Sequence, residues 1–390
     1  MIYEEALAWL YSTQQFGIKL GLENTRSLLQ SLGNPQERLR FLHVAGTNGK
    51  GSVCAMLDSV LRTAGYKAGL YTSPHLVDFR ERIRINGEKS SPHAVAEGLT
   101  IVRNISKGWS HSPTFFEIAT ALALRCFAEE RCDLVVLETG MGGALDATNV
   151  VCPLVSIITP IALDHTRWLG NTLGEIAGEK AGIIKRGVPV VSASQAPEAA
   201  AVLAQHAAAA GSALEFIEGP WKQAEVGLRG THQRENAALV VAALGAACLQ
   251  VADEAQRQGL RNVRWPGRFQ CVDERIVLDG CHNPHAADHL LATWMEEYGP
   301  QQATVIFGAL GDKDYVTMLE ILEPICREVL LVPVRSERSA DPRALAAACR
   351  APHRIFRSVG EALGASRGRI LITGSLFLVG EALQALGVDL

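Results

Sequence analysis

The feature that most restricts how this chain can fold is Gly46-Thr47-Asn48-Gly49-Lys50-Gly51-Ser52, set between the apolar run Phe41 to Gly46 and a helical pattern reaching about Ala64. A short apolar run bounded by glycine reads as a buried strand, and the pattern after the glycines reads as a helix. Lys67 to Tyr71 supplies another strand, so the unit is β-loop-α-β. Backbone N–H groups of such a turn converge with the helix N-terminus on an anion. Lys50 adds a point charge for outer phosphate oxygens. Glycine also serves ordinary tight turns; the lysine within the turn and the helix behind it favour phosphate.

The standard phosphate loop has glycine five residues before its second glycine and Ser or Thr directly after the lysine, where this chain has Val44 and Gly51. The hydroxyl that ordinarily ligates magnesium is therefore displaced, and Ser73, at the end of the next strand, is a candidate replacement. Further strands are expected at Leu134 to Glu138 and Val155 to Thr159, with helices at about 115 to 130, 172 to 185 and 197 to 210, and from His232. Apolar strands alternating with helices are the rhythm of a parallel sheet covered on both faces. Near Trp265-Pro266-Gly267-Arg268 the pattern breaks, and a second alternation begins, with strands at about 276 to 279, 303 to 307, 328 to 332 and 369 to 372. The fold class is α/β, in two domains, 1–264 and 265–390.

With 390 residues, 48% of them hydrophobic, the chain is long enough for two cores. The net charge of -4 gives no field to attract nucleic acid or an anionic membrane, so an anionic substrate must be met locally. Nine cysteines with no C-x-x-C pair and no zinc spacing fit reduced thiols in the cytoplasm. The start, Met1-Ile2-Tyr3-Glu4-Glu5, lacks the basic and apolar parts of a signal peptide, and no run approaches a membrane span. The expectation is a soluble, cytoplasmic protein.

His43 to Ser52, followed by Thr72-Ser73-Pro74-His75-Leu76, resembles folylpolyglutamate and dihydrofolate synthases of the wider Mur-ligase family. The likeness continues through Glu81-Arg82-Ile83-Arg84-Ile85-Asn86-Gly87, Leu145-Asp146-Ala147-Thr148-Asn149, Leu163-Asp164-His165-Thr166 and Gly178-Glu179-Lys180-Ala181-Gly182. It reaches Leu278-Asp279-Gly280-Cys281-His282-Asn283-Pro284-His285 and Gly311-Asp312-Lys313-Asp314, nearly spanning the chain. The resemblance implies an N-terminal P-loop ATPase domain with a mostly parallel sheet and a smaller, Rossmann-like C-terminal domain. It implies a monomer that uses ATP and magnesium, as two ions, to join L-glutamate to dihydropteroate and to tetrahydrofolates through an acyl phosphate.

Glu138 ends an apolar strand, which puts a hard oxygen ligand at the carboxyl edge of the sheet, although acids there also serve as solvated loop residues or helix caps. His165 follows another strand; imidazole is an unusual magnesium ligand, and a lone histidine is more often a hydrogen-bonding structural residue. Lys180 reads as a solvated lysine paired with Glu179 or Glu175. The resemblance implies instead that Ser73, Glu138 and His165 surround the metal ions and that Lys180 is carbamylated to give a further oxygen ligand, with Lys50, Lys180, His165 and Glu138 as the catalytic set. It assigns nucleotide contacts to Gly49, Lys50, Gly51, Ser52, Asn236, Arg268 and Asp279. Arg268 has the forked donors a phosphate requires, or forms an interdomain salt bridge. Asp279 ends a strand, where acids accept from ribose hydroxyls. His282 and Asp312-Lys313-Asp314 are secondary candidates.

On the substrate side, Phe16 to Leu22, Ser73 to Arg84 with Arg82, and Thr114-Phe115-Phe116 resemble stretches that surround the pteridine and benzoyl groups. Aromatic rings there would stack on a flat heterocycle, or serve as core where a helix opens. The family usually has arginine within Gly-Gly-Arg-Leu-Asp-Ala-Thr-Asn; this chain has Ala144. The rival readings are a muropeptide ligase of the same family and a regulatory GTP switch, the latter opposed by the lack of an N-K-x-D element for guanine.

Overall fold

The computed structural model describes residues 1–16 and 21–389; most of the expected substrate stretch from Phe16 to Leu22 lies outside them. The chain forms two compact units. The first contains Met1–His75, Phe79–Glu225 and Glu235–Val263, and the second Leu76–Asp78, Val226–Arg234 and Arg264–Leu390.

The first unit is built on eight strands: β1 Phe41–Ala45, β2 Ala68–Tyr71, β3 Ile83–Ile85, β4 Glu88–Lys89, β5 Leu134–Glu138, β6 Val155–Ile158, β7 Val190–Ala193 and β8 Leu214–Ile217. Their order is β4-β3-β2-β5-β1-β6-β7-β8, parallel except at β3 and β4. Every residue of β1, β2, β5 and β6 is buried, because helices cover both faces of the sheet, and this is why these strands read as unbroken apolar runs. The β-loop-α-β unit is present, but β5 sits between its two strands. The carboxyl ends of β2, β5, β1 and β6 thus lie side by side, and their loops form one edge of the sheet.

The second unit has β9 Gln270–Cys271, β10 Ile276–Leu278, β11 Ala303–Phe307, β12 Cys326–Leu331, β13 His353–Ile355 and β14 Ile370–Thr373, ordered β13-β12-β11-β14-β10-β9. All neighbours are parallel except β9 and β10. One apolar layer gathers Trp294, Phe307 and Leu322, the other Leu278, Ile372 and Leu378, so this sheet too is covered on both sides.

The helix expected over 172 to 185 runs only over Leu173–Ala181. Gly182 follows it, and a side chain there would overlap Ala144, its Cβ falling 2.3 Å from that residue's Cα. The helix Thr231–Ala246 is the Ala-, Val- and Leu-rich segment, with Leu239, Val240, Ala243 and Leu244 buried. Among the described residues no helix is long and apolar enough to cross a membrane.

Candidate active site

The phosphate loop is strapped to the segment that follows β6. Thr47 and Asn48 N–H groups donate to Pro160 O at 2.9 and 3.3 Å, and the Thr47 hydroxyl lies 3.1 Å from both the N–H and the carbonyl oxygen of Ala162. Gly46 has no room for a side chain, since a Cβ would fall 1.8 Å from Thr159 Oγ1. Gly49 begins the Lys50–Thr63 helix with φ +88°, and its missing Cβ would lie 2.9 Å from Asn236 Oδ1. Asn236, buried on the Thr231–Ala246 helix, is thereby placed against the loop. First-turn N–H groups have no acceptor inside their own helix, and here they belong to Lys50, Gly51 and Ser52, which open it toward an anion. Lys50 Nζ donates to the Gly46 and Thr47 carbonyls, both at 3.1 Å.

Glu138 is 4% exposed and accepts from Ser73 N–H at 2.9 Å, which ties the ends of β5 and β2 together. Lys180 is not a solvated lysine. It is 3% exposed and donates to Gly46 O at 2.8 Å. Burial, reinforced by the nearby Lys50 charge, lowers its amine to a pKa of about 7. His165 opens the short helix Thr166–Leu169 in the left-handed region, φ +52°, with its N–H bonded to Asp164 Oδ1 at 2.8 Å.

Among the described residues no three His, Cys, Asp or Glu side chains gather as a metal cage. Magnesium is commonly held by one or two carboxylates with substrate phosphates and water, not by an all-protein cage. One buried carboxylate, joined to a serine backbone at the edge that carries the phosphate loop, fits that ligand chemistry.

Thr114 caps the Phe115–Glu129 helix, accepting from Glu117 N–H at 3.3 Å while its own N–H donates to Glu117 Oε2 at 2.7 Å. Its side chain is therefore a helix start. Phe116 covers Gly140, where a Cβ would meet the ring at 2.5 Å, and it tilts against Tyr71. Phe115 stacks with Tyr11 at 5.7 Å and meets Phe79 edge-on. Arg82, 7% exposed, holds its guanidinium 5.1 Å from the Phe115 ring centre.

In the second unit, Asp279 accepts from Phe269 N–H and Cys281 N–H, one on each carboxylate oxygen and both at 2.8 Å. Burial raises its pKa, against the pull of Arg268 and these bonds. Half-buried Arg268 donates to Gly267 O at 3.3 Å. His282 donates through Nδ1 to Gly280 O at 2.8 Å. Asp314 is the cap of the Tyr315–Leu322 helix, taking Thr317 N–H and Oγ1–H, and Asp312 lies 3.7 Å from Arg338.

Residues 267–376 match the model of the Mur ligase glutamate ligase domain. The Bacillus subtilis dihydrofolate synthase/folylpolyglutamate synthase is 37% identical over 97% of this chain and 98% of its own length. This chain belongs to that synthase family. The Escherichia coli dihydrofolate synthase/folylpolyglutamate synthase is 33% identical over 97% of this chain and 94% of its own. Among solved structures, E. coli FolC in complex with DHPP and ADP superposes with a TM-score of 0.89 at 32% identity, covering 98% of this chain and 97% of that one. Mycobacterium tuberculosis folylpolyglutamate synthase complexed with ADP gives 0.93 at 29%, covering 99% of each.

Ala144 lies in the loop that follows Glu138, and hydrogen bonds hold that loop in place. Ala144 N–H donates to Glu179 O at 2.8 Å, and Asn149 Nδ2 donates to the Ala144 and Gly182 carbonyls. Asp146, buried, accepts from the N–H groups of Gly140, Met141 and Thr148 and from the Thr148 hydroxyl. These bonds shape the strand-end loop after Glu138. The sequence reading gave Asp146 no role, and its place within Leu-Asp-Ala-Thr-Asn was the available signal.

Proposed function

We propose that the protein is an ATP-dependent ligase that joins L-glutamate to dihydropteroate and to tetrahydrofolates, a dihydrofolate synthase and folylpolyglutamate synthase. The observation that carries this is the shared edge of the first sheet. There the phosphate loop, Glu138, Ser73 and the segment ending in His165 follow four adjacent parallel strands. The relatives' names, and the DHPP and ADP of the E. coli complex, support the substrate class.

In this reading the triphosphate lies on the Lys50–Ser52 helix start, with Lys50 neutralising charge on the outer phosphates. Asn236 keeps the loop at Gly49 in shape. Magnesium, held by Ser73, Glu138 and His165 and by Lys180 after carbamylation, would supply charge neutralisation for phosphoryl transfer. A buried amine of pKa about 7 is neutral often enough to react with carbon dioxide, whereas an ordinary ammonium is not. The γ-phosphoryl group passes to the substrate carboxylate, and the resulting acyl phosphate is attacked by the glutamate amine, releasing phosphate. Arg268 and Asp279 serve the nucleotide from the 265–390 domain, and 1–264 forms the ATP- and folate-binding domain. Nine free cysteines are what a reducing cytoplasm maintains. The protein acts as a monomer.

Mass spectrometry of products after incubation with magnesium-ATP, L-glutamate and either 7,8-dihydropteroate or tetrahydrofolate tests this. Gain of a glutamyl residue on both substrates is expected. No gain on either, with ATP intact, refutes the assignment.

A further inference from the structure

His43 is a buried imidazole to which the proposed chemistry gives no task. It projects from β1, 0% exposed, and its Nε2 lies 2.9 Å from Thr148 Oγ1. Thr148 Oγ1 in turn lies 2.5 Å from Asp146 Oδ1, which also takes the Thr148 N–H at 3.0 Å. Asp146 Oδ2 takes the N–H groups of Gly140 and Met141, both at 2.9 Å. Four donors on one carboxylate favour its ionised form, against the upward push that burial gives its pKa. A carboxylate can only accept, so the single hydroxyl hydrogen of Thr148 goes to Asp146, and the Thr148 oxygen accepts from His43 Nε2–H. The imidazole is therefore neutral with its hydrogen on Nε2, and burial, helped by the Lys185 charge, holds it so by lowering its pKa to about 3. His43 Nδ1 accepts no hydrogen bond from any described residue. An unpaired buried acceptor costs stability, so an apolar side chain would serve a plain core position better. What the imidazole adds is a donor that fixes the Thr148 hydroxyl.

We propose that His43 is a positioning residue that, through Thr148 and Asp146, sets the loop between Glu138 and the helix carrying Lys180, and with it the placement of those two side chains at the strand edge. The inference rests on the ligase reading and adds His43 and Thr148 to it. The loop is gripped on both sides. Next to Glu138, Thr139 N–H donates to Val44 O at 2.9 Å, and Asp146 gathers the two N–H groups that follow. On the other side Gly143 lies against the Lys180 helix, where a Cβ would fall 2.7 Å from Glu179 O and 2.9 Å from Lys180 O. Ala144 N–H donates to Glu179 O at 2.8 Å. A shift of Asp146 is thus passed to the backbone beside Glu138 and to the backbone at Lys180 together. Displacing catalytic groups by about 1 Å can lower a rate about a hundredfold without weakening substrate binding.

Amide hydrogen exchange on the full chain reads the anchor directly. An asparagine amide reaches only the Nδ1 position, so His43→Asn removes the donor, whereas His43→Gln puts an N–H where Nε2 stood. His43→Asn and Thr148→Val should each speed exchange at Gly140 and Met141 at least about tenfold, with the amides of β6 and β7 unchanged. His43→Gln should restore most of the protection. In steady-state assays His43→Asn and Thr148→Val are each expected to lower kcat about thirtyfold, with KM for ATP and dihydropteroate moving less than about twofold. Adding His43→Asn to Thr148→Val should change kcat by less than about twofold, because the donor has already lost its acceptor. His43→Gln should recover most of the lost rate. In the 15N-histidine spectrum of the wild type, His43 should keep a protonated Nε2 and an unprotonated Nδ1 between about pH 5 and 9. An unprotonated Nε2 overturns the proposal. So does unaltered exchange at Gly140 and Met141 in folded His43→Asn, or a loss of protection spread evenly over the sheet, which marks ordinary packing. Quickened exchange with unchanged kcat in an active enzyme overturns it too. A wild type that forms no glutamylated product fails the ligase reading, and the tautomer and exchange rates still decide the anchor.

Discussion

Lys180 and Lys50 meet on a single atom. The carbonyl oxygen of Gly46 accepts from Lys180 Nζ at 2.8 Å and from Lys50 Nζ at 3.1 Å. Burial alone disfavours the charged form of Lys180, and the Lys50 ammonium on the same acceptor adds repulsion to it. Lys180 therefore falls from 10.5 to about 7 while sitting within reach of the phosphate loop.

This makes Lys180 a source of pH-dependent stability. Its folded-state pKa lies below its unfolded one, so between about 7 and 10.5 the unfolded chain holds a proton that the folded protein has released. Stability contributed by this site therefore rises with pH across that window, and the cost of a buried ammonium is fully present below it. Lys180→Met should stabilise the protein at pH 6 by about 2 kcal/mol or more and flatten the profile up to pH 9, as read by urea unfolding. The same variant should lower kcat by at least about a hundredfold.

Gly49→Ala tests the loop itself. The new methyl group would meet Asn236 Oδ1 at 2.9 Å, in a backbone conformation, φ +88°, that alanine disfavours by about 1–2 kcal/mol. The expected outcome is a folded protein, unchanged in far-UV circular dichroism, whose ADP affinity by calorimetry falls at least about tenfold. Retained affinity would show that the loop's shape does not depend on this contact.

Asp279→Ala is expected to act first on stability. Two backbone N–H groups, from Phe269 and Cys281, lose a charged acceptor, and each such loss costs about 1–3 kcal/mol. Thermal unfolding should show a drop of several degrees. Asp279→Asn retains one acceptor oxygen and should lose less, while any larger effect on KM for ATP than on stability would mark a direct nucleotide contact.

The parts of the fold that were legible in sequence are those where one local cause dominates. β1, β5 and β6 are buried on both faces and so appear as apolar runs, and Gly46 and Gly49 announce the loop because no other residue fits there. The Leu173–Ala181 and Phe115–Glu129 helices begin with Thr-x-x-Glu capping boxes at Thr172 and Thr114. What depends on distant partners was hidden. Nothing local to β1 or β2 says that β5 will pair between them, or that Leu76–Asp78 and Val226–Arg234 pack with the second unit. Lys180 reads as a surface lysine beside Glu179, and only its packing against Gly46, 134 residues away, removes it from water. His43 and Thr148, 105 residues apart, carry no shared pattern at all.

Glu138→Gln separates charge from shape at the strand end. The glutamine carbonyl can still accept from Ser73 N–H, so the bond between the ends of β5 and β2 survives and the protein should unfold at nearly the same temperature. What disappears is the negative charge that a divalent cation needs from one of its few protein ligands. The expected result is a fall in kcat of about a hundredfold or more, with ADP binding in the absence of magnesium unchanged because the Lys50–Ser52 helix start is untouched. Titrating magnesium then discriminates. If Glu138 holds the cation, rising magnesium restores part of the lost rate in the variant and the half-saturating concentration moves up at least about tenfold. A variant that loses activity with an unmoved magnesium dependence would place the carboxylate elsewhere in the reaction, and one that keeps full activity would remove Glu138 from the site.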